Sequence, residues 1–297
     1  MENPLVSIIT ITYNRSDLIH RCIESIQKQT YTNYEHIIVD GNSDDNTEEI
    51  VRSYRDSHIR YVKLTTKGPQ IQMRAGADIA TGKYVTFLDD DDEYLPTKIE
   101  KQVNLFEKES DKVGIVYCWM TYYDTAAPES PIRIHKPEFK GFVGDITPVF
   151  PRVSGTPTMM LRRTVYEEFG GAFDDSIGYL MSDWEFIARV TQKYEVDYVP
   201  ESLIKVYINH GHARLTTDFY QEKAKKGVIF HTHFLTTFAD VFCRNPKSAY
   251  YHYFCLCRCN AILKNRAEAF KYFKKYINTK PKTKDVIKAI VGIIIGR

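Results

Sequence analysis

Residues 6–12 (VSIITIT) are a β-branched run, and Leu18, Ile19, Cys22, Ile23 and Ile26 then recur at helical spacing, which predicts a strand followed by an amphipathic helix. The alternation repeats. A second strand is expected at 34–39, ending at Asp40, and Ser43 or Asp44 can cap a helix through Glu48, Ile50, Val51 and Tyr54 with acids at its positive end. A third strand follows at 59–64, a helix over 70–80 closed by Gly82, a fourth strand at 84–88, a helix over 96–109 and a fifth strand at 113–120. This alternation calls for an α/β fold, with a mostly parallel sheet flanked by helices on both faces.

From 124 to 157 the sequence turns Pro-rich and loses its period, which reads as a substrate-side loop. Order returns with a helix from Ser182 and strands at 196–199 and 203–207, and after about residue 217 the pattern is helical, with breaks at Pro246 and Pro281. The expected division is a domain over 1–215, halved near 123, and a helical C-terminal extension over 216–297.

With 297 residues, 43% of them hydrophobic, the chain can bury a sizeable core with an appendage. Its net charge of +2 gives no reason to expect a nucleic-acid partner. Seven basic residues and one acid stand between Lys274 and Arg297, so the body is mildly acidic and the end basic. There Val286, Ile287, Ile290, Val291 and Ile294 share an apolar helical face beside Lys282, Lys284 and Lys288; the tail either touches anionic membrane peripherally or packs on the body. The first residues lack the features of a secretory signal, and no apolar run nears the ~20 residues of a spanning helix. A cytoplasmic protein is expected, with the inner face of the membrane as its station if the tail binds lipid. The six cysteines form no C-x-x-C pair; His252, Cys255 and Cys259 share a helical face without an evident fourth ligand, so core-filling thiols are preferred to a zinc site.

Ligands of open α/β sheets bind beyond the carboxyl ends of the strands, which places Thr12, Tyr13, Asp40 and the run Asp89-Asp90-Asp91-Asp92 on one rim. Four consecutive carboxylates repel one another unless a cation or hydrogen-bond donors offset them, and hard oxygen ligands of this kind suit Mg²⁺ or Mn²⁺ carrying a diphosphate. The stretch from Asp40 imitates a calcium loop but has Asp45 where Gly is needed and Val51 where Glu is needed, leaving Asp40 as a rim carboxylate and 43–46 as a helix cap. Ser182-Asp183-Trp184-Glu185 is a capping box, and Asp183 in its first turn is kept ionised by the positive helix end. Trp184 is either an apolar platform for a sugar ring or a core residue.

In this order the segments VSIITITYNR, IIVDGNSDDNT, ATGKYVTFLDDDDEYLP and GGAFDDSIGYLMSDWEFIARV resemble the inverting glycosyltransferases of family 2, of the GT-A fold, over residues 5–212. The resemblance implies a metal-dependent transferase that moves a sugar from a nucleotide donor, expected to be UDP-linked, to a hydroxyl of a glycan or lipid-linked acceptor in surface polysaccharide biosynthesis. The half up to 123 would bind the nucleotide-sugar and 124–215 the acceptor. Tyr13, beside Thr12, would pack near the base, Asp40 would receive the uracil N–H, and Asp90 with Asp91 would hold ribose and metal, with Asp91 as the direct ligand and Asp89 completing the motif. Asp183 would be the general base, and His210 would approach the diphosphate or the metal. The chain departs from the family at Ile11, where Pro is common, and at Met73-Arg74-Ala75-Gly76, where Arg-Asn is common; Lys67-Gly68 is then the alternative diphosphate contact. Two rivals stand beside this reading: an aspartyl phosphatase or nucleotidyl-transfer enzyme using the 89–92 cluster, and a catalytically silent module that binds a membrane or partner through the tail.

Overall fold

Strand β1 (Val6–Thr12) is buried at every position, as a β-branched strand must be when both faces of its sheet are covered. The structure, a computed structural model, describes residues 3–150, 155–170, 182–212, 220–279 and 286. Two compact units divide the chain: Met1–Gly144, Arg152–Phe173 and Phe186–His212 form the first, and Asp145–Pro151, Asp174–Glu185 and Ala213–Arg297 the second.

The first unit is built on one nine-stranded sheet. Its remaining strands are β2 (Tyr34–Asp40), β3 (Ile59–Lys63), β4 (Tyr84–Phe87), β5 (Glu93–Tyr94), β6 (Val113–Asp124), β7 (Ala127–His135), β8 (Met160–Arg162) and β9 (Glu195–Ile208). The order is β3-β2-β1-β4-β8-β6-β9-β5, with β7 added to β6. The β3-β2-β1-β4 half is parallel, as is β6 with β9, whereas β8 runs antiparallel to both β4 and β6. Helices α1 (Ile19–Gln27), α2 (Thr47–Ser53) and α4 (Lys98–Phe106) cover one face through Ile19, Cys22, Ile23, Ile26, Val51, Ile99, Val103 and Phe106. Helix α3 (Pro69–Asp78), α5 (Arg163–Glu168) and the later turns of α6 (Ser182–Val190) cover the other through Met73, Val165, Phe186, Ile187 and Val190. This is the GT-A architecture of helices around a curled central sheet.

Two features depart from the sequence pattern. The 124–157 stretch contains β7, which among the described strands pairs with β6 and whose residues are almost all exposed; an edge ladder held by backbone hydrogen bonds needs no apolar alternation. The strands expected at 196–199 and 203–207 are one strand, β9, with register shifts against β6 at Cys118, Trp119 and Met120 that absorb the polar break between them.

In the second unit, α7 (Tyr220–Thr237), α8 (Ala239–Arg244) and α9 (Tyr250–Ile262) gather Phe230, Phe234, Phe238, Phe242 and His252 into a buried core, and α10 (Arg266–Asn278) packs on α9 with Tyr276 5.5 Å from Phe254. His252 Nε2–H donates to the Pro148 carbonyl (2.7 Å), so its Nδ1 is the acceptor for the Nδ1–H of His231 at 3.0 Å. Burial pushes these imidazoles down, His231 to about 3 and His252 to about 4, which keeps the pair neutral. Cys22, Cys118 and Cys257 are buried, Cys255 and Cys259 half-buried, and Cys243 is exposed. No helix among the described residues is long and apolar enough to cross a membrane. The amphipathic tail, at 280–285 and 287–297, lies outside the described residues.

Candidate active site

Parallel pairing sets Thr12 opposite Asp40, so β1 and β2 end together; β4 ends at Phe87 opposite Ile9, three residues earlier along β1, and the run after it reaches the same rim, where Asp90 meets Arg15. Helix α3 is clamped beneath that rim. Gln72 donates from Nε2 to the Thr12 carbonyl at 2.8 Å and the Val39 carbonyl at 3.0 Å, and Gly76 lets the helix lie so close that a Cβ there would meet Ile9 Cγ2 at 2.6 Å.

Asp40 is fully buried. Its Oδ1 accepts from the Ser43 N–H at 2.7 Å and its Oδ2 from the Tyr61 hydroxyl at 2.5 Å, which orients the carboxylate from both sides. Burial and the Asp40 charge push the Tyr61 phenol far up, so it stays protonated and donating. The capping expected of 43–46 falls to Asp45, whose Oδ1 accepts from the Thr47 N–H at 3.0 Å, while Ser43 Oγ accepts from the Asn14 N–H at 2.8 Å and ties the first turn to the second. Tyr13 is 38% exposed on the rim, with Lys67 Nζ 5.3 Å from its ring centre, and Arg74 is exposed.

The four aspartates separate in direction. Asp89, Asp91 and Asp92 bring one carboxylate oxygen each to within 4.8 Å of one another, whereas Asp90 turns to Arg15, whose Nη1 lies 2.6 Å from its Oδ1. Burial raises Asp90 to about 6 against the lowering pull of Arg15, with Asp91 adding to the rise. Asp92 Oδ1 accepts from the Tyr207 N–H at 3.1 Å, which fastens the motif to the end of β9. Beyond that end Asn209 (φ 64°) and Gly211 (φ 83°) reverse the chain, and His210 places Nε2 2.9 Å from Asp91 Oδ2 with only 1% of its side chain exposed. Arg21 completes the shell: it donates to the Asp91 carbonyl at 3.3 Å and stacks 3.9 Å over the Tyr207 ring. Three converging carboxylates with an imidazole at their edge are the hard donor set that Mg²⁺ or Mn²⁺ takes, so the residues present fit a divalent cation.

Thr12, Asp40, Asp89, Asp90, Asp91 and His210 are thus brought together in the first unit. Sequence reasoning passed over Arg15, Arg21, Tyr61, Gln72 and the convergence of Asp92. Arg15 ends the very segment VSIITITYNR that carried the resemblance, and a cation beside four acids was a signal in reach; Tyr61 and Gln72 left none, since nothing local shows which carbonyl or carboxylate a strand or helix residue will meet.

Asp183 and Trp184 belong to the second unit. Asp183 is half-buried, at the start of α6, and its Oδ1 accepts from the Trp184 N–H at 2.8 Å. Glu185, expected to cap the helix, is buried with Oε1 3.3 Å from His233 Nε2. Trp184 takes the core alternative. It is 3% exposed, donates from Nε1 to the Thr147 carbonyl at 2.5 Å, and lies against His252 on one side and Phe234 on another, so no face is left for a sugar ring.

The sequence model of Glycosyl transferase family 2 matches residues 7–170, more than half of the chain. The chain belongs to glycosyltransferase family 2. An uncharacterized glycosyltransferase of Rickettsia prowazekii is 31% identical to this glycosyltransferase over 223 residues, 73% of this chain and 67% of the relative. The Escherichia coli UDP-Glc:alpha-D-GlcNAc-diphosphoundecaprenol beta-1,3-glucosyltransferase WfaP is 38% identical over 120 residues, 40% of this chain and 46% of that enzyme. Among solved structures, S. aureus TarS 1–349 in complex with UDP-GlcNAc shares the fold with a TM-score of 0.68 at 14% identity, covering 98% of this chain and 88% of that one.

Proposed function

We propose that this family 2 enzyme is a metal-dependent, inverting transferase that moves a sugar from a UDP-sugar to a hydroxyl of a glycan or lipid-linked acceptor in surface polysaccharide biosynthesis. One observation carries the donor site: Asp40, oriented by two donors, stands on the same rim as the converging oxygens of Asp89, Asp91 and Asp92. That pairs a base-reading carboxylate with a diphosphate end at the mouths of β2 and β4, on either side of β1. The likeness to WfaP, a UDP-Glc enzyme with a diphosphoundecaprenol-linked acceptor, favours UDP and a lipid-linked acceptor.

Asp40 accepts the N–H of the uracil beside Thr12 and Tyr13, and Asp90 with Asp89 takes the ribose side. Asp91, with Asp89, Asp92 and His210 around it, would hold Mn²⁺ or Mg²⁺, which supplies charge neutralisation to a departing diphosphate. Asp183 acts as general base. It receives the proton of the acceptor hydroxyl as that oxygen bonds to the anomeric carbon, and the bond to the diphosphate breaks on the opposite face with its electron pair leaving on the nucleotide. The N-terminus of α6 favours the ionised carboxylate, the form that can accept that proton. The basic tail is the segment proposed to meet anionic lipid, where such an acceptor resides.

Calorimetric titration with UDP, GDP and dTDP, each with and without Mn²⁺, tests the reading in the wild type and in Asp91→Ala. Metal-dependent binding of UDP that disappears in the variant is expected. Binding that ignores both the metal and Asp91 would remove the donor site from this rim.

A further inference from the structure

Four consecutive carboxylates need a counter-charge, and Arg15 provides one from the opposite turn. Its backbone is fixed: the Arg15 carbonyl accepts from the N–H groups of Leu18 (3.0 Å) and Ile19 (3.1 Å) at the entry to α1, and the neighbouring Ser16 N–H donates to Asp45 Oδ2 at 3.0 Å. From there Nη1 reaches Asp90 Oδ1 at 2.6 Å and Asp91 Oδ2 at 3.3 Å. The same Asp91 oxygen lies 2.9 Å from His210 Nε2. A cation bound by Asp91 therefore meets a positive charge already engaged with its ligand. The Arg15 side chain is 16% exposed, so it is not sealed beneath the rim.

We propose that Arg15 is a positioning residue that couples cation binding to donor binding. With no diphosphate present, its guanidinium holds Asp90 and Asp91 and opposes the entry of a divalent cation. A diphosphate gives the guanidinium a second anionic partner of matching fork geometry and frees the Asp91 oxygen for the cation. Cation and nucleotide then bind as a pair, each tightening the other by the same factor. This rests on the donor-site reading above, and it adds that the site is built to stay nearly empty of metal until the donor arrives.

The test is calorimetric titration of the full chain with Mn²⁺ alone, with UDP alone and with UDP at saturating Mn²⁺, in the wild type, Arg15→Gln and Arg15→Lys, with thermal melts alongside. Removal of a unit charge this close to the ligands is expected to tighten Mn²⁺ alone by at least about tenfold in Arg15→Gln, and to shrink the factor by which Mn²⁺ tightens UDP by a similar amount. Arg15→Lys should fall between, since an ammonium keeps the charge and loses the fork. Equal Mn²⁺ affinity in wild type and Arg15→Gln overturns the proposal, as does an unchanged coupling factor. If Arg15→Gln leaves Asp90 unpaired and does not fold, Arg15→Lys decides: Mn²⁺ alone must bind about threefold more tightly than in the wild type, and equality refutes the coupling. A wild type that binds Mn²⁺ and UDP independently refutes the coupling and leaves the donor site standing. One that binds Mn²⁺ but no nucleotide refutes both.

Discussion

Lys98 lies in α4 with no exposed surface, beneath the strand that delivers the aspartate cluster. Its Nζ donates to Thr86 Oγ1 at 2.5 Å and sits 3.9 Å above the Tyr94 ring, with the Cys118 thiol nearby. Among the described residues no carboxylate pairs with it, and burial pushes its pKa down to about 7 from 10.5. In the unfolded chain the group returns to 10.5. Below pH 7 both states are protonated and the folded protein bears the full cost of a buried ammonium. Between pH 7 and 10.5 the unfolded chain holds the extra proton, so stability rises with pH. The gain attributable to this one group between pH 7 and pH 9 is about 2 kcal/mol. Lys98→Met keeps an unbranched chain and removes the charge, so its stability should lack that slope and exceed the wild type's at pH 7. The assay is urea unfolding at pH 7 and pH 9 followed by Trp119 fluorescence in a Trp184→Phe background, because Trp119 belongs to the same unit as Lys98. Parallel pH dependence in wild type and Lys98→Met would show that the ammonium is neither neutral nor costly, and the reasoning would fail.

Four further outcomes are expected. Asp183→Asn should lower kcat by about 10²–10⁴-fold while UDP affinity in a titration stays within about twofold; a parallel loss of donor affinity would remove the general-base role. Gly76→Ala puts a Cβ 2.6 Å from Ile9 Cγ2 and 3.1 Å from Val39 Cγ2; the melting temperature should fall by an amount equivalent to about 1–3 kcal/mol, and an unchanged value would mean α3 can lift off the sheet freely. Tyr61→Phe removes one of the two donors that orient Asp40 and should weaken UDP binding by roughly tenfold, read by the same titration. The His231–His252 pair has folded pKa values depressed below 6.5, so its stabilisation is present above pH 6.5 and is lost as pH falls toward about 4; Trp184 fluorescence should report acid unfolding, shifted to lower pH by His252→Phe.

The strands and helices up to residue 123 were legible because they bury whole faces. A run such as VSIITIT can hardly be anything but a covered strand, and Leu18 through Ile26 state their helical face outright. The rim aspartates were legible for the same reason, since a strand's end can be read from the point where its apolar run stops. The orientation of those carboxylates was not: that Asp90 turns to Arg15 while Asp92 turns inward depends on a peptide N–H at Tyr207, more than a hundred residues away. Trp184 was equally undecidable, because a half-turn of α6 separates a platform from a core ring, and only the facing Phe234 and His252 choose between them. β7 escaped notice because an edge strand is specified by what it pairs with, and its own residues carry no pattern.

That edge strand has a consequence for how the protein can change. Its side chains from 127 to 134 all face water, and its place in the sheet depends on the backbone ladder to β6. Pro128 and Pro131 supply no N–H, so the outer edge is a poor template for another chain and guards against end-to-end polymerisation. The strand's described ring contact with β6 is Arg133, 4.0 Å over Tyr122, so substitutions elsewhere on the strand touch no buried residue. A lineage could rewrite this border repeatedly while the aspartates, which follow β4, the third strand inward from β7 by way of β6 and β8, keep their register.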